Sequence, residues 1–298
     1  MKKIILVLSL FLVGCNNTTT SIDSATFTPS NKIQVVLMYG QSNMEGHTYK
    51  QYLINTMGEE KTLKYKNGFD DVKISYACTI SNNTSNKEFV PVQLGQGYNQ
   101  DRFGPEVGMA EIFSNYNLQD KVYLIKFAQG ATSLYNSWRS PSSKMTGSLY
   151  QFAIDYTLEQ LAKLENMGYY PEVKAICWMQ GEDDSSSNYY GDYYQYEKAF
   201  ISDLRASLNY YSSPKGIGFI DAGISDCPAW THFVDINNAK MKLASEDDLN
   251  VYFSTIDEEL KYNGEPAGSP DIYHYDSSSM IKLGNIFAQK IVENFLDL

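Results

Sequence analysis

Ser42 stands where a hydroxyl can act as a nucleophile. It follows the run Ile33-Gln34-Val35-Val36-Leu37-Met38-Tyr39 and Gly40, which reads as a strand covered on both faces ending in a sharp turn. A serine at the carboxyl end of such a strand and the amino end of a helix meets outward-pointing backbone N–H groups. A serine nucleophile also needs a base, and the chain holds only three histidines. His47 lies five residues past Ser42 on the expected helix, so its side chain is expected to point away. His232 follows Cys227-Pro228-Ala229-Trp230 and reads as a surface or substrate-contacting residue. His274 follows Asp271 by three positions, after the last expected strand and before the last helix. A carboxylate one turn from an imidazole can accept its Nδ1–H and fix the tautomer, leaving Nε2 free to take a proton from a serine. That is the chemistry of acyl transfer. The same residues admit plainer roles. Ser42 and Glu45 have the S-x-x-E spacing of a capping box, and His274 can be an exposed imidazole with an accidental neighbour.

The elements that must position these groups alternate. Phe103-Gly104-Pro105-Glu106 opens a helix with Pro105 near its first position and Val107, Ala110, Ile112 and Phe113 for its inner face. Strands are expected at Val122 to Ala128, Val173 to Met179, Ile217 to Ala222 and Val251 to Thr255. Between them fall helices at Ser148 to Met167, Tyr193 to Tyr211 and Val234 to Ser245, and Met280 to Phe295 closes the chain. In the helix from Ser148, Leu149, Phe152, Ile154, Leu158, Leu161 and Leu164 are read as the buried stripe. Alternation of this kind is the signature of a parallel sheet with helical crossovers. Thr48 to Asp101 reads as a long irregular insertion with one short strand at Val72 to Cys78, beside the presumed site, where it shapes a substrate cleft.

Composition narrows the partners. With 298 residues, 43% of them hydrophobic, the chain can bury a large single core. The formal charge is −11, from 35 acidic and 24 basic residues, with no basic stripe, which argues against nucleic acid. Twenty-four tyrosines and three tryptophans are a heavy aromatic load, suited to a sugar-facing surface as well as to half-buried positions. Lys2 and Lys3 followed by the apolar run Ile4 to Val13 form a targeting segment too short to span a membrane as a mature helix. It ends Leu12-Val13-Gly14-Cys15, which resembles a bacterial lipobox, so residues 1–15 are expected to be a lipoprotein signal and Cys15 the lipidated anchor. Residues 16–32, rich in Thr, Ser and Asn, read as a flexible tether, and 33–298 as the folded domain. Export and membrane attachment follow from that reading. Cys78, Cys177 and Cys227 are then an odd set that cannot pair completely, with Cys177 in an apolar run as a core residue. No C-x-x-C or His-x-x-x-His spacing supports a metal site.

Five blocks in order carry a family resemblance. Gly40-Gln41-Ser42-Asn43-Met44-Glu45-Gly46 resembles the nucleophile block of the carbohydrate-esterase and sialate O-acetylesterase-like branch of the SGNH (GDSL-type) hydrolases. Phe103-Gly104-Pro105-Glu106, Phe127-Ala128-Gln129-Gly130-Ala131-Thr132-Ser133-Leu134 with Trp138, Trp178-Met179-Gln180-Gly181-Glu182-Asp183-Asp184, and Asp271-x-x-His274 with Leu283-Gly284 are similar to its remaining blocks. The resemblance implies a three-layer α/β/α sandwich around a parallel sheet in the flavodoxin-like order 2-1-3-4-5. It implies cofactor-free removal of O-acetyl groups from a carbohydrate, with Ser42 as nucleophile, His274 as base and then acid, and Asp271 orienting the imidazole. The oxyanion donors it implies are the Ser42 N–H, the Gly130 N–H and the Gln180 side-chain amide, with Gln41 and Glu182 supporting the site or contacting substrate. Where the family commonly has two glycines this chain has Gly130-Ala131, which leaves open which of the two amides donates. Glu182 and Asp184 can also cap the following helix or pair with Arg102 or Arg139. Two other readings remain: an esterase of acyl lipids, against which the polar insertion argues, and a glycan-binding surface lipoprotein without turnover.

Overall fold

The computed structural model describes residues 31–78, 83–116, 118, 121–262 and 264–296. The expected signal segment, Cys15 and the tether up to residue 30 lie outside the described residues. Lys32 already opens the first strand. After β1 (Lys32–Gly40) and the one-turn helix α1 (Ser42–Glu45) come β2 (Thr48–Tyr49), α2 (Lys50–Met57), α3 (Glu59–Asn67), β3 (Phe69–Cys78), β4 (Asn83–Thr84), β5 (Val90–Val92) and β6 (Arg102–Phe103). The remainder alternates through α4 (Glu106–Asn115), β7 (Lys121–Ala128), α5 (Ser148–Asn166), β8 (Tyr170–Met179), α6 (Glu182–Ser186) and α7 (Tyr193–Ser207). It ends with β9 (Gly218–Ala222), α8 (Phe233–Glu246), β10 (Asn250–Phe253) and α9 (Ser277–Asn294).

The sheet runs β10-β9-β8-β1-β7-β3-β4, with β5 also on β3. From β10 to β3 every pairing is parallel; β4 and β5 add antiparallel. Counting only β1, β7, β8, β9 and β10, the order is the expected 2-1-3-4-5, and β3 extends the sheet beyond β7. Flanked on both sides, β1 is buried from Ile33 to Gly40, as its nearly continuous apolar run, broken at Gln34, leads one to expect. Helices cover the sheet to give a three-layer sandwich: α4 packs on α9, α5 on β7 and β8, and α7 on α8.

Two local expectations fail for physical reasons. The insertion is not irregular, because α2 and α3 each turn two residues inward, Leu53 with Ile54 and Thr62 with Tyr65, too few to show a period in sequence. In α5, Phe152 is 56% exposed. The buried stripe is Leu149, Tyr150, Ala153, Ile154, Tyr156, Thr157, Gln160, Leu161 and Leu164, so tyrosines and polar residues hold places in a stripe that was read from leucine, isoleucine and phenylalanine alone. Cys78, Cys177 and Cys227 are buried, and no disulfide joins them among the described residues.

Candidate active site

The site lies at the carboxyl ends of β1, β7 and β8. At the end of β1, Gly40 has φ 151°, and a Cβ there would stand 2.1 Å from the Met179 carbonyl oxygen, so only glycine lets the neighbouring chain approach. The Gln41 N–H donates to that carbonyl at 2.9 Å, locking the turn onto β8. Gln41 is the N-cap of α1 and Ser42 its first residue, with no side-chain cap. The capping-box role is therefore not taken up. Glu45 instead accepts from the Gly130 N–H at 2.8 Å and sits 2.9 Å from His47 Nε2 through the same Oε2.

Ser42, 9% exposed, opens onto a cleft of about 460 Å³, within the size range of small-molecule sites. His274 lines the same cleft. Its Nδ1 lies 2.6 Å from Asp271 Oδ2, which leaves Nε2 as the nitrogen not engaged by the carboxylate. Burial works against the Asp271 charge, yet the His274 hydrogen bond and charge, with the Tyr273 and His274 N–H groups, hold its carboxyl down to about 2. Asn43, next to Ser42, ties the two loops together. Its Nδ2 donates to the Tyr273 carbonyl at 3.4 Å and its Oδ1 accepts from the Tyr275 N–H at 3.3 Å, bracketing His274. The Thr48 hydroxyl donates to the Tyr275 carbonyl at 2.8 Å. Beneath them Glu182, wholly buried, accepts from Asn43 Nδ2 at 2.9 Å, and burial raises its carboxyl above the usual range.

His47 does not point away. Helix α1 stops at Glu45 and the chain turns at Gly46, returning the imidazole to the cleft, where it stacks on His274 with ring centroids 4.5 Å apart. Arg102 Nη1 lies 3.1 Å from His47 Nδ1. A guanidinium can only donate, so Nδ1 accepts and Nε2 carries the proton given to Glu45. Burial, reinforced by the charges of His274 and Arg102 and opposed by Glu45, pulls His47 below the ordinary imidazole range and keeps it neutral.

Of the other expected residues, Gly130 adjoins Ser42: a Cβ at Gly130 would lie 3.3 Å from that of Ser42. Its N–H is engaged by Glu45, and Gln180 is fully buried with Nε2 donating to Asp184 Oδ2 at 2.6 Å, the Thr132 carbonyl at 3.0 Å and Gln41 Oε1 at 3.3 Å. Neither is free for a ligand as the site stands. Asp184 also receives the Leu134 and Tyr135 N–H groups at 2.8 and 3.0 Å, and burial pushes it up to about 6. It pairs with neither Arg102 nor Arg139. His232 stacks on Tyr190, with centroids 3.5 Å apart, outside the residues that line the cleft.

The sequence profile described as carbohydrate esterase, sialic acid-specific acetylesterase, matches residues 32–293. The chain belongs to this family. No curated protein matches it in sequence. Among solved structures, an Arabidopsis thaliana protein is similar with 20% identity over 90% of this chain and 100% of its own, at a TM-score of 0.60. NanS is similar with 12% identity over 89% of this chain and 98% of its own, at 0.61. A carbohydrate acetylesterase from Xanthomonas citri is similar with 14% identity, over 88% of this chain and 56% of its own, at 0.58. At such identities the likeness is one of fold. For a carbohydrate esterase of this family, sequence reasoning passed over Asn43 and the cleft-facing His47. The turn signal at Gly46 could have flagged His47; nothing local marks contacts that span some 230 residues.

Proposed function

We propose that the protein is a serine esterase that removes O-acetyl groups from a carbohydrate, with Ser42, His274 and Asp271 as its acting residues. The observation that carries this is the opening of Ser42 and His274 onto one cleft, with Asp271 2.6 Å from the far nitrogen of the imidazole. Ser42 Oγ attacks the acetyl carbonyl as its proton passes to His274 Nε2. The tetrahedral intermediate collapses, the sugar oxygen leaves with that proton, and acetate remains esterified to Ser42. Water, giving its proton to His274, then releases acetate and restores the serine. Asp271 holds the tautomer throughout. The first N–H of α1, at Ser42, is the oxyanion donor we assign; Gly130 joins it by releasing Glu45, and Gln180 acts from behind by holding Gln41. Tyr98, Trp230 and Tyr273 on the cleft rim suit the apolar face of a sugar ring.

The segment ending at Cys15 supports an exported lipoprotein, held at a membrane by acyl chains on that cysteine. Among the described residues no helix is long and apolar enough to cross a membrane. The test of the enzymatic reading is Ser42→Ala on a chromogenic acetyl ester. The rate should fall by at least about 10⁴-fold with the melting temperature unchanged, because Ser42 caps nothing. Undiminished hydrolysis, or a collapse of the fold, would refute the reading.

A further inference from the structure

We propose that Asp183 makes this cleft select uncharged or cationic acetylated sugars over anionic ones, sialates included. The inference rests on the esterase reading above and narrows its substrate class. Asp183 follows Glu182 at the start of α6, half-buried on the cleft rim. Its carboxylate has no hydrogen bond or ion pair among the described residues, and burial raises its pKa, the mark of an acceptor that lacks a donor. A second carboxylate in the wall points the same way: Glu45 Oε1 is buried with no partner.

No lysine or arginine among the described residues lines the cleft to offset these charges. Arg102 stands behind His47, its guanidinium held by the His47 ring and carbonyl at 3.1 Å each and by the Tyr49 hydroxyl at 2.6 Å. Buried Lys126 is bound to Glu106 at 2.9 Å, and Lys240 to Asp221 at 2.5 Å. Trp230 and Tyr273, with centroids 5.6 Å apart and rings tilted by 52°, form an angled apolar wall in the cleft that Asp183 also lines. A sugar ring against that wall can offer hydroxyl hydrogens to Asp183, a favourable charge-assisted contact. A sugar carrying its own carboxylate meets two acidic groups and no lysine or arginine in the cleft lining, a like-charge clash in a partly desolvated site.

The test measures kcat/KM of the full-length protein on three esters: 4-nitrophenyl acetate, an O-acetylated methyl glycoside without charge, and an O-acetylated sialic acid. The neutral glycoside should be preferred to the sialate by at least about tenfold, a bias that weakens as salt is raised. Asp183→Asn should shrink that ratio about tenfold, and Asp183→Lys should shrink it further; a merely structural role would not move the ratio with charge. Wild-type preference for the sialate, or a ratio that ignores both substitutions, overturns the inference while leaving the esterase reading intact. Failure on all three esters, the nitrophenyl ester included, overturns both.

Discussion

Asp271 and His274 form a contact whose pH response has a definite sign. Folding lowers the Asp271 carboxyl from 3.8 to about 2, so the folded state binds its proton less readily than the unfolded chain. The resulting stabilisation is complete above about pH 4 and is lost as the pH falls from there through about 2. Denaturant melts of wild type and Asp271→Asn should therefore differ most above pH 4 and converge toward pH 2. Activity of the same variant should fall by about 10³- to 10⁴-fold, since an amide no longer fixes the productive tautomer. Asn43 is the other residue on which the site's geometry depends. Asn43→Ala should lower kcat by about 10- to 100-fold through misplacement of the His274 loop. It should also reduce the unfolding free energy by about 1–3 kcal/mol, because Glu182 loses a buried donor. The pairing of Asp271 with His274 was legible because the two are three residues apart. The Asn43 bridge and the His47 stack were not, since the first joins distant segments and the second depends on α1 ending after one turn.

At the scale of elements, the strand-helix alternation was legible because central parallel strands are mostly apolar and their crossovers are long amphipathic helices. What escaped notice had weak periodicity. Helices α2 and α3 each bury two residues, and β3, whose core part was read as Val72 to Cys78, joins the sheet beyond β7 by pairings no local pattern encodes. One element contact lends itself to measurement. Helices α4 and α9 cross at glycines: a Cβ at Gly284 would lie 2.0 Å from the Pro105 carbonyl oxygen, and one at Gly108 2.1 Å from that of Ile281. Gly284→Ala must push the two helices apart and should cost about 1–3 kcal/mol or more in chemical denaturation. Because α9 follows the His274 loop, kcat should fall along with stability.

Over the whole molecule, an acidic α/β domain brings Ser42 and His274, from loops at opposite ends of the sequence, to one cleft at the rim of its sheet. Net charge of −11 and an unoffset carboxylate at the cleft favour substrates that bring no negative charge. The amino-terminal segment places that domain at a membrane surface in the reading given above. Cys15→Ser expressed in a bacterial host should move the protein from the membrane fraction to the soluble exported fraction, with esterase activity unaltered. The decisive observation concerns the covalent intermediate. Acid-quenched during turnover of an activated acetyl ester and analysed by peptide mass spectrometry, the wild-type protein should carry one acetyl group on the peptide containing Ser42, absent from the Ser42→Ala variant. Acetate released at full rate with no acetyl on that peptide, or with the acetyl on another residue, would contradict the account.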